Sequence, residues 1–421
     1  MSKININNMC ASSDTIDCWG KIDFDLAEKS VKKLQKCIAT AYLNSDNRLV
    51  MNLQNKLIHS FYAKALSIDI VTSNKGKHTT GIDNTLWTTP TDKFQAIDKL
   101  KRRGYKHKAL RRIYIPKYNG HLRPLGIPTM KDRAMQTLYR FALEPIAEIT
   151  ADTNTFGFRQ NRSARDAIVK TVEILSKCPE YEWVMKADIK SCFDSISHNW
   201  LMDNIPMDKE MLKQFIKCGY VYDSDFYSTD KGIPQGACIS GVLCNMTLDG
   251  LEKILKSRFG DSIEAIRYAD DFIIIGTSKA VSLQVVAPVV ECFLSERGLS
   301  LSKEKTKISR IEKGFNFLGY RIYKENNDII SVPTRENIDS LIGKIEEVFK
   351  TMPQIPIEHL YKLLKSKIRG WLNYYKSIAT TQSLHCIEYE IVSYTFKRTG
   401  GQTNCQIHWK IICPNMTIIM V

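Results

Sequence analysis

Apolar side chains recur along this chain with two different periods. From residue 22 to 43, Leu26, Val31, Leu34, Ile38 and Tyr42 follow a helical period, and Asp23 or Asp25 is placed to cap its start. A second helical stripe runs through Leu49, Leu53, Leu57, Phe61 and Ala65, and Thr72 to Asp83 then breaks the pattern with Gly, Asn and Thr, as a loop does. A basic helix is expected before Arg112. After it, Arg112–Lys117 and Leu122–Pro128 read as strands around Asn119-Gly120, the dipeptide that best tolerates a two-residue hairpin turn. Residues 131 to 148 and Ser163 to Leu175 return to the helical period. Glu182 to Ile189 is a β-type run with a carboxylate, Asp188, near its end.

The second half alternates in the same way. A turn-forming cluster, Gly232 to Gly236, precedes a helix expected from Ser240 to Leu255. Ala265–Tyr268 and Phe272–Ile275 are two short strand-like runs. Ala280 to Arg297 reads as a helix despite Pro288, Leu299–Ile308 is partly strand-like, and Phe315–Ile322 begins another hairpin. Beyond Pro333 the pattern is helical. Ile338, Leu341, Ile342, Ile345, Val348 and Phe349 form one stripe, Ile357 through Tyr375 a second, and Ser383 to Lys397 a third. This is an α+β chain ending in a small helical region with a basic outer face.

Composition narrows the class. The 421 residues are enough for two or three cores, and 43% hydrophobic with 25% charged residues is ordinary for globular protein. No apolar run approaches the roughly 18 residues of a membrane span. MSKININNMC is not a signal peptide, and twelve cysteines without a CxxC pair read as reduced thiols in a cytosol. The net charge of +15 is uneven: between residues 99 and 133 twelve cations face one acid, Asp132, so this stretch carries +11. Interleaved with Tyr105, His107, Tyr114 and Tyr118, it is expected to be a phosphate-backbone surface.

Candidate chemistry gathers at Ala269-Asp270-Asp271, between the two central strand-like runs. Two readings fit a pair of aspartates at a hairpin tip. One is a solvated turn, because Asp bonds nearby backbone. The other is a platform for hard divalent cations. Asp188 supplies the partner the second reading needs, if its strand pairs with the hairpin. Lys117 and Arg123 flank the Asn-Gly turn, either as solubilising edge charges or as a cationic pair over an anionic ligand such as a triphosphate. Gly232-Ile233-Pro234-Gln235-Gly236 is either a plain connector or a turn that offers backbone N–H groups to a phosphate or base pair.

Taken together, these motifs resemble those of the reverse transcriptases, and among them the bacterial group II intron-encoded type. Tyr268-Ala269-Asp270-Asp271 resembles the YxDD box, Asp188 to Phe193 the first palm motif, Gly232 to Gly236 the G-x-PQG box, and Phe156 to Arg159 the G-F-R segment. Lys117 and Arg123 match the fingertip pair, and Lys303–Lys307 and Phe315–Tyr320 the last two palm motifs. Asn74 to Asp83 looks like the N-terminal extension, and Ile368 to Tyr375 like the maturase or thumb signature. The likeness covers about 22 to 398, in the family's order.

The resemblance implies a right-hand polymerase of fingers, palm with antiparallel sheet, and helical thumb. Residues 1–90 would form the N-terminal helical extension, 91–181 the fingers and 182–330 the palm, with 230–255 bordering the fingers. Residues 331–398 would form the thumb, and 399–421 a short tail without a nuclease cluster. It implies RNA-directed DNA polymerase activity with two Mg²⁺ ions, replaceable by Mn²⁺, held by Asp188, Asp270 and Asp271 with Ile189. Lys117, Arg123, Phe193, Gln235, Gly236 and Lys305 would bind the nucleotide, Phe193 crowding the ribose 2′ position. Arg111, Arg112, Arg159, Tyr268, Arg369 and Trp371 would contact template and primer. The implied partners are an RNA template, dNTPs and the cDNA product, with no membrane. The expected role is a domesticated enzyme copying a structured non-coding RNA in phage defence. The alternatives are a group II intron maturase (an RNA-binding splicing factor) or an intron-mobility enzyme.

Overall fold

The computed structural model describes residues 18–116, 120, 122–277, 285–351, 357–376 and 378. Lys117, Asn119, the helical stripe from Ser383 and the tail lie outside them. The chain begins with α1 (Phe24–Leu43), α2 (Asn47–His59), α3 (Phe61–Ser73) and α4 (Pro90–Lys99), followed by β1 (Leu110–Pro116), β2 (Leu122–Ile127), α5 (Met130–Thr150) and α6 (Ala164–Lys177). The middle contains β3 (Trp183–Asp188), α7 (Cys192–Ser195), α8 (His198–Asn204), α9 (Lys209–Ile216), β4 (Tyr220–Tyr222), β5 (Asp225–Tyr227), α10 (Ser240–Leu248) and α11 (Leu251–Phe259). The last part contains β6 (Ile263–Tyr268), β7 (Asp271–Gly276), α12 (Val286–Ser295), β8 (Lys307–Arg310), β9 (Phe315–Phe317), β10 (Tyr320–Glu325), β11 (Asp328–Pro333), α13 (Arg335–Thr351) and α14 (Ile357–Tyr375). No helix among the described residues is long and apolar enough to cross a membrane.

The chain divides into two compact units. The described parts of Met1–Gln160, Ile189–Ile254 and Val289–Ser302 form one, and those of Asn161–Asp188, Leu255–Pro288 and Lys303–Val421 the other. In the first unit, Asp23 caps α1 by accepting from Leu26 N–H at 2.8 Å. The second predicted helical stripe is two helices, because Ser60 adopts an extended ψ of 130° between α2 and α3. The core of this unit is α5, buried around most of its circumference and packed on α1, α2, α3 and α10.

The expected basic helix does not form. Helix α4 ends at Lys99, and the cations after it lie in irregular chain and in β1. Gly104, at φ 74°, turns the chain there, and Leu100 and Tyr105 anchor it in the core. β1 and β2 pair antiparallel from Arg111↔Ile127 to Pro116↔Leu122, and β1 also pairs parallel with β4, giving the sheet order β2-β1-β4-β5. The single helix expected from Ser240 to Leu255 is broken at Gly250, φ 96°, where Asp152 accepts the N–H groups of Gly250 and Glu252.

The second unit is built on an antiparallel sheet of order β6-β7-β3-β8. Phe272 to Ile275 of the interior strand β7 are at most 1% exposed, as expected of a strand covered on both faces. A second sheet, β11-β10-β9, lies in the same unit, where α6 packs against β6 and β11 and α13 against α14.

Candidate active site

Register brings the first two acids together. β3 pairs with β7 so that Asp188 lies opposite Asp271, and Lys186 opposite Ile273. β6 and β7 close as Tyr268↔Asp271, which leaves Ala269-Asp270 as a two-residue turn. Ala269 takes φ 57°, a left-handed conformation costing about 1 kcal/mol for a residue with a side chain. Buried Arg267 donates to the Ala269 carbonyl at 3.3 Å and helps hold the turn in that shape. A solvated loop tip has no need of such support.

The electrostatics separate the acids. Asp188 Oδ2 accepts from Lys305 Nζ at 2.8 Å, and this bond raises the Lys305 ammonium above its ordinary value. Asp271 Oδ1 is buried without a hydrogen-bond partner. Burial pushes the Asp271 carboxyl up to about 6. Asp188 and Asp270 add to the rise, and Lys186 and Lys305 oppose it. An orphaned carboxylate oxygen between two other aspartates is a donor set suited to a hard divalent cation. No cluster of three or more His, Cys, Asp or Glu forms a ready metal cage among the described residues. Asp188 instead holds the Lys305 ion pair. Ile189, expected beside the metal, is buried and bridged to Leu301, and both belong to the first unit.

The first unit collects a different set. Ser191, at φ 46°, turns the chain into α7, and the Phe193 ring meets Phe158 edge-on with centroids 5.9 Å apart. Gly232 N–H donates to Ile196 O at 2.7 Å and Ile233 N–H to Phe193 O at 2.6 Å. A Cβ on Gly232 would lie 2.7 Å from Asp194 backbone, so only glycine fits there. Gln235 O accepts from Gly126 N–H at 2.8 Å, its amide donates to Asp194 at 3.3 Å, and Gly236 sits at φ 102°. The Pro-Gln-Gly cluster is therefore laced both to β2 and to the Phe193 turn. Arg123 is exposed on β2, opposite Ile115.

Two of the expected template contacts are tied down within the chain. Arg111 donates from Nε and Nη2 to Thr80 O at 3.0 and 2.8 Å. Arg159, with a side chain 7% exposed, is held by Glu148 at 2.6 Å and by the Asp152 and Thr155 carbonyls. In the basic stretch, Arg133 also donates to Gly76 and Thr79 carbonyls, Lys108 pairs with Asp83, and Arg102 pairs with Asp208. Guanidinium carries many donors in a fixed fork, so part of the +11 organises the 76–83 loop and is not offered to phosphate. Arg112 differs, lying over the Tyr220 ring at 3.9 Å. Tyr268 is half-buried at its hairpin, Arg369 is exposed, and Trp371 rests on Tyr375 with ring centroids 4.3 Å apart.

Sequence reading missed one supporting group. Gln136, wholly buried, accepts from Cys238 N–H at 2.9 Å and contacts His107 Nε2 at 3.0 Å, pinning the end of the Pro-Gln-Gly turn. A glutamine among the apolar positions of α5 was its signal.

Comparison with known proteins bears on the family of the chain. The family described as reverse transcriptase (RNA-dependent DNA polymerase) matches residues 115–322, the N-terminal domain of reverse transcriptase matches 19–100, and the group II intron maturase-specific domain matches 338–401. Protein YkfC of Escherichia coli is 32% identical over 344 residues, covering 70% of this chain and 89% of YkfC. The group II intron-encoded protein LtrA of Lactococcus lactis is 26% identical, covering 78% of this chain and 70% of LtrA. Telomerase from Candida tropicalis superposes at a TM-score of 0.44 and 13% identity, over 71% of this chain and 62% of that one. By its ordered motifs, its three family matches and its identity to YkfC, the chain belongs to the reverse transcriptases, RNA-directed DNA polymerases of the group II intron-encoded type with an α+β right-hand fold.

Proposed function

We propose that the chain copies an RNA template into cDNA by two-metal nucleotidyl transfer, with Asp188, Asp270 and Asp271 as the metal-holding carboxylates. The observation that carries this reading is the buried, unpartnered Oδ1 of Asp271, on the strand register of Asp188. Two Mg²⁺ ions bound there would activate the primer 3′-hydroxyl and neutralise charge on the transferring phosphoryl group. The chain's own residues do the positioning. Arg123, with Lys117, holds the triphosphate as a forked and a point cation. Gln235 and Gly236 lie against the nascent base pair, and a side chain at Gly236 would both strain the backbone and press on the Gly126 carbonyl. Phe193, braced by Phe158, fills the space a ribose 2′-hydroxyl needs and so favours deoxynucleotides. Lys305, freed from Asp188, neutralises the departing pyrophosphate. Arg112, Tyr268, Arg369 and Trp371 follow the template and primer strands.

Primer extension on an RNA template with dNTPs tests the reading. Mg²⁺-dependent cDNA that disappears with Asp270→Ala is expected, and wild-type enzyme as silent as that variant would refute it. The template is proposed to be one structured non-coding RNA and the setting phage defence. Sequencing RNA and cDNA co-purified with the protein checks both. A group II intron among them would instead assign the chain to intron splicing or mobility, and unchanged phage resistance in Asp270→Ala cells would remove the defence role.

A further inference from the structure

The sheet β2-β1-β4-β5 has a face on which, Arg112 apart, no residue has a part in the reaction above. Pairing places Arg112 and Tyr114 of β1, Tyr220 and Tyr222 of β4, and Tyr227 of β5 on one side, because alternate residues share a face and Tyr220 pairs with Tyr227. Arg123 and Ile115 have the opposite parity. On this side the rings form two contacting pairs across neighbouring strands. Arg112 covers Tyr220 at 3.9 Å, and Tyr220 and Tyr227 stack at 5.1 Å and 14°. Tyr114 meets Tyr222 edge-on at 5.1 Å. Tyr114, Tyr222 and Tyr227 are 42%, 40% and 42% exposed. Single exposed aromatics are ordinary, but several gathered on one sheet face mark a binding surface.

We propose that this tyrosine face is a stacking platform for single-stranded RNA, separate from the nucleotide site. Unpaired bases present two flat faces that stack on exposed rings without regard to sequence, whereas in a duplex those faces are already stacked on one another. Charge selects nucleic acid over a protein partner: the chain entering β1 carries Lys101, Arg103 and Lys106, all exposed, and Arg112 adds a cation already set against a ring. The acids at the β4–β5 turn, Asp223 and Asp225, repel phosphate and direct the RNA backbone toward β1. The platform gives the enzyme of the proposed reading a second hold on its template. The inference rests on that reading only for the RNA being the template.

The test measures binding of fluorescent oligouridine, roughly 20 nucleotides long, to the full chain. Tyr114→Ala/Tyr222→Ala/Tyr227→Ala is expected to bind about 100-fold more weakly, while the matching Phe variant binds like wild type, because stacking survives loss of the hydroxyl. Extension of a short pre-annealed primer–template and the melting temperature should not change in either. Asp270→Ala should bind RNA normally and make no cDNA, so failure of the polymerase reading leaves this result independent. Equal affinity for oligouridine in wild type and the triple Ala variant would overturn the platform. So would a triple Ala variant that keeps RNA affinity but loses self-association, since the face would then belong to a second copy of this chain.

Discussion

The hairpins β6–β7 and β1–β2 look alike in sequence and behave oppositely in the fold. Both are two apolar runs around a short polar tip, and both carry charge for the proposed reaction. β7 is buried along its length and paired on both sides, so Asp271 is fixed by the isoleucines that follow it. β1 changes from buried at Leu110 to exposed at Pro116, and β2 from buried at Ile127 to exposed at Leu122. The carboxylates stand on a core element and the cation Arg123 on an exposed arm. Acids that must share ions a few ångströms apart need a rigid support, whereas a cation that meets a mobile triphosphate does not.

The comparison breaks first at the acids. Asp271→Asn is expected to lower primer-extension rate by on the order of 1,000-fold or more, since it removes one carboxylate of the proposed metal set. Single-turnover kinetics with wild-type and variant enzyme measures it, and a loss under tenfold would show that Asp271 is only a turn residue. One step from the chemistry, Ile274→Ala in the fully buried strand should destabilise the unit by ~2–5 kcal/mol through cavity formation. Urea unfolding measures that, and the same change at exposed Ile115 should cost under about 0.5 kcal/mol.

Asp271→Asn should also stabilise the metal-free protein above pH 6 by up to ~3 kcal/mol, because burial pushes the Asp271 carboxyl up to about 6. The sign follows from proton binding. The folded carboxyl, at about 6, holds its proton between pH 4 and 6 while the unfolded one, near 3.8, has lost it. Wild-type stability from this group is therefore greatest below the unfolded value and is lost as pH rises through 6. Melting curves in EDTA at pH 4.5 and pH 8 check it: the variant's advantage should be full at pH 8 and only about a third as large at pH 4.5. Equal melting temperatures at pH 8 would mean the carboxylate is not penalised by burial. The smallest effect belongs to the exposed arm. Arg123→Ala should raise the KM for dNTP by about tenfold, roughly the worth of a charge-assisted contact, with no measurable change in melting temperature. An unchanged KM would leave Arg123 a solubilising edge charge.

Much of this contrast was legible in the sequence. The two hairpins, the acids, the Pro-Gln-Gly turn and the amphipathic helices α13 and α14 all follow from period and residue type. Residues whose role depends on a distant partner were not legible. The charge of Arg111 and Arg159 is visible in the sequence, and the carbonyls that hold them are not. The breaks at Ser60 and Gly250 were hidden inside apolar stripes that continue across them.

The sequence alone determined which chemistry is available: hard oxygen donors at a rigid tip, a cationic pair at another, and enough apolar periodicity to build both. The tertiary structure decided which of these groups meet. Hydrophobic alternation specifies the face of a strand but not its neighbour, so only the assembled sheet could set Asp188 against Asp271 and line four tyrosines and Arg112 along one side of another sheet. Burial did the rest. The same aspartate that would be an ordinary acid in an exposed turn becomes, once surrounded, a carboxylate raised to about 6 with one oxygen unpartnered.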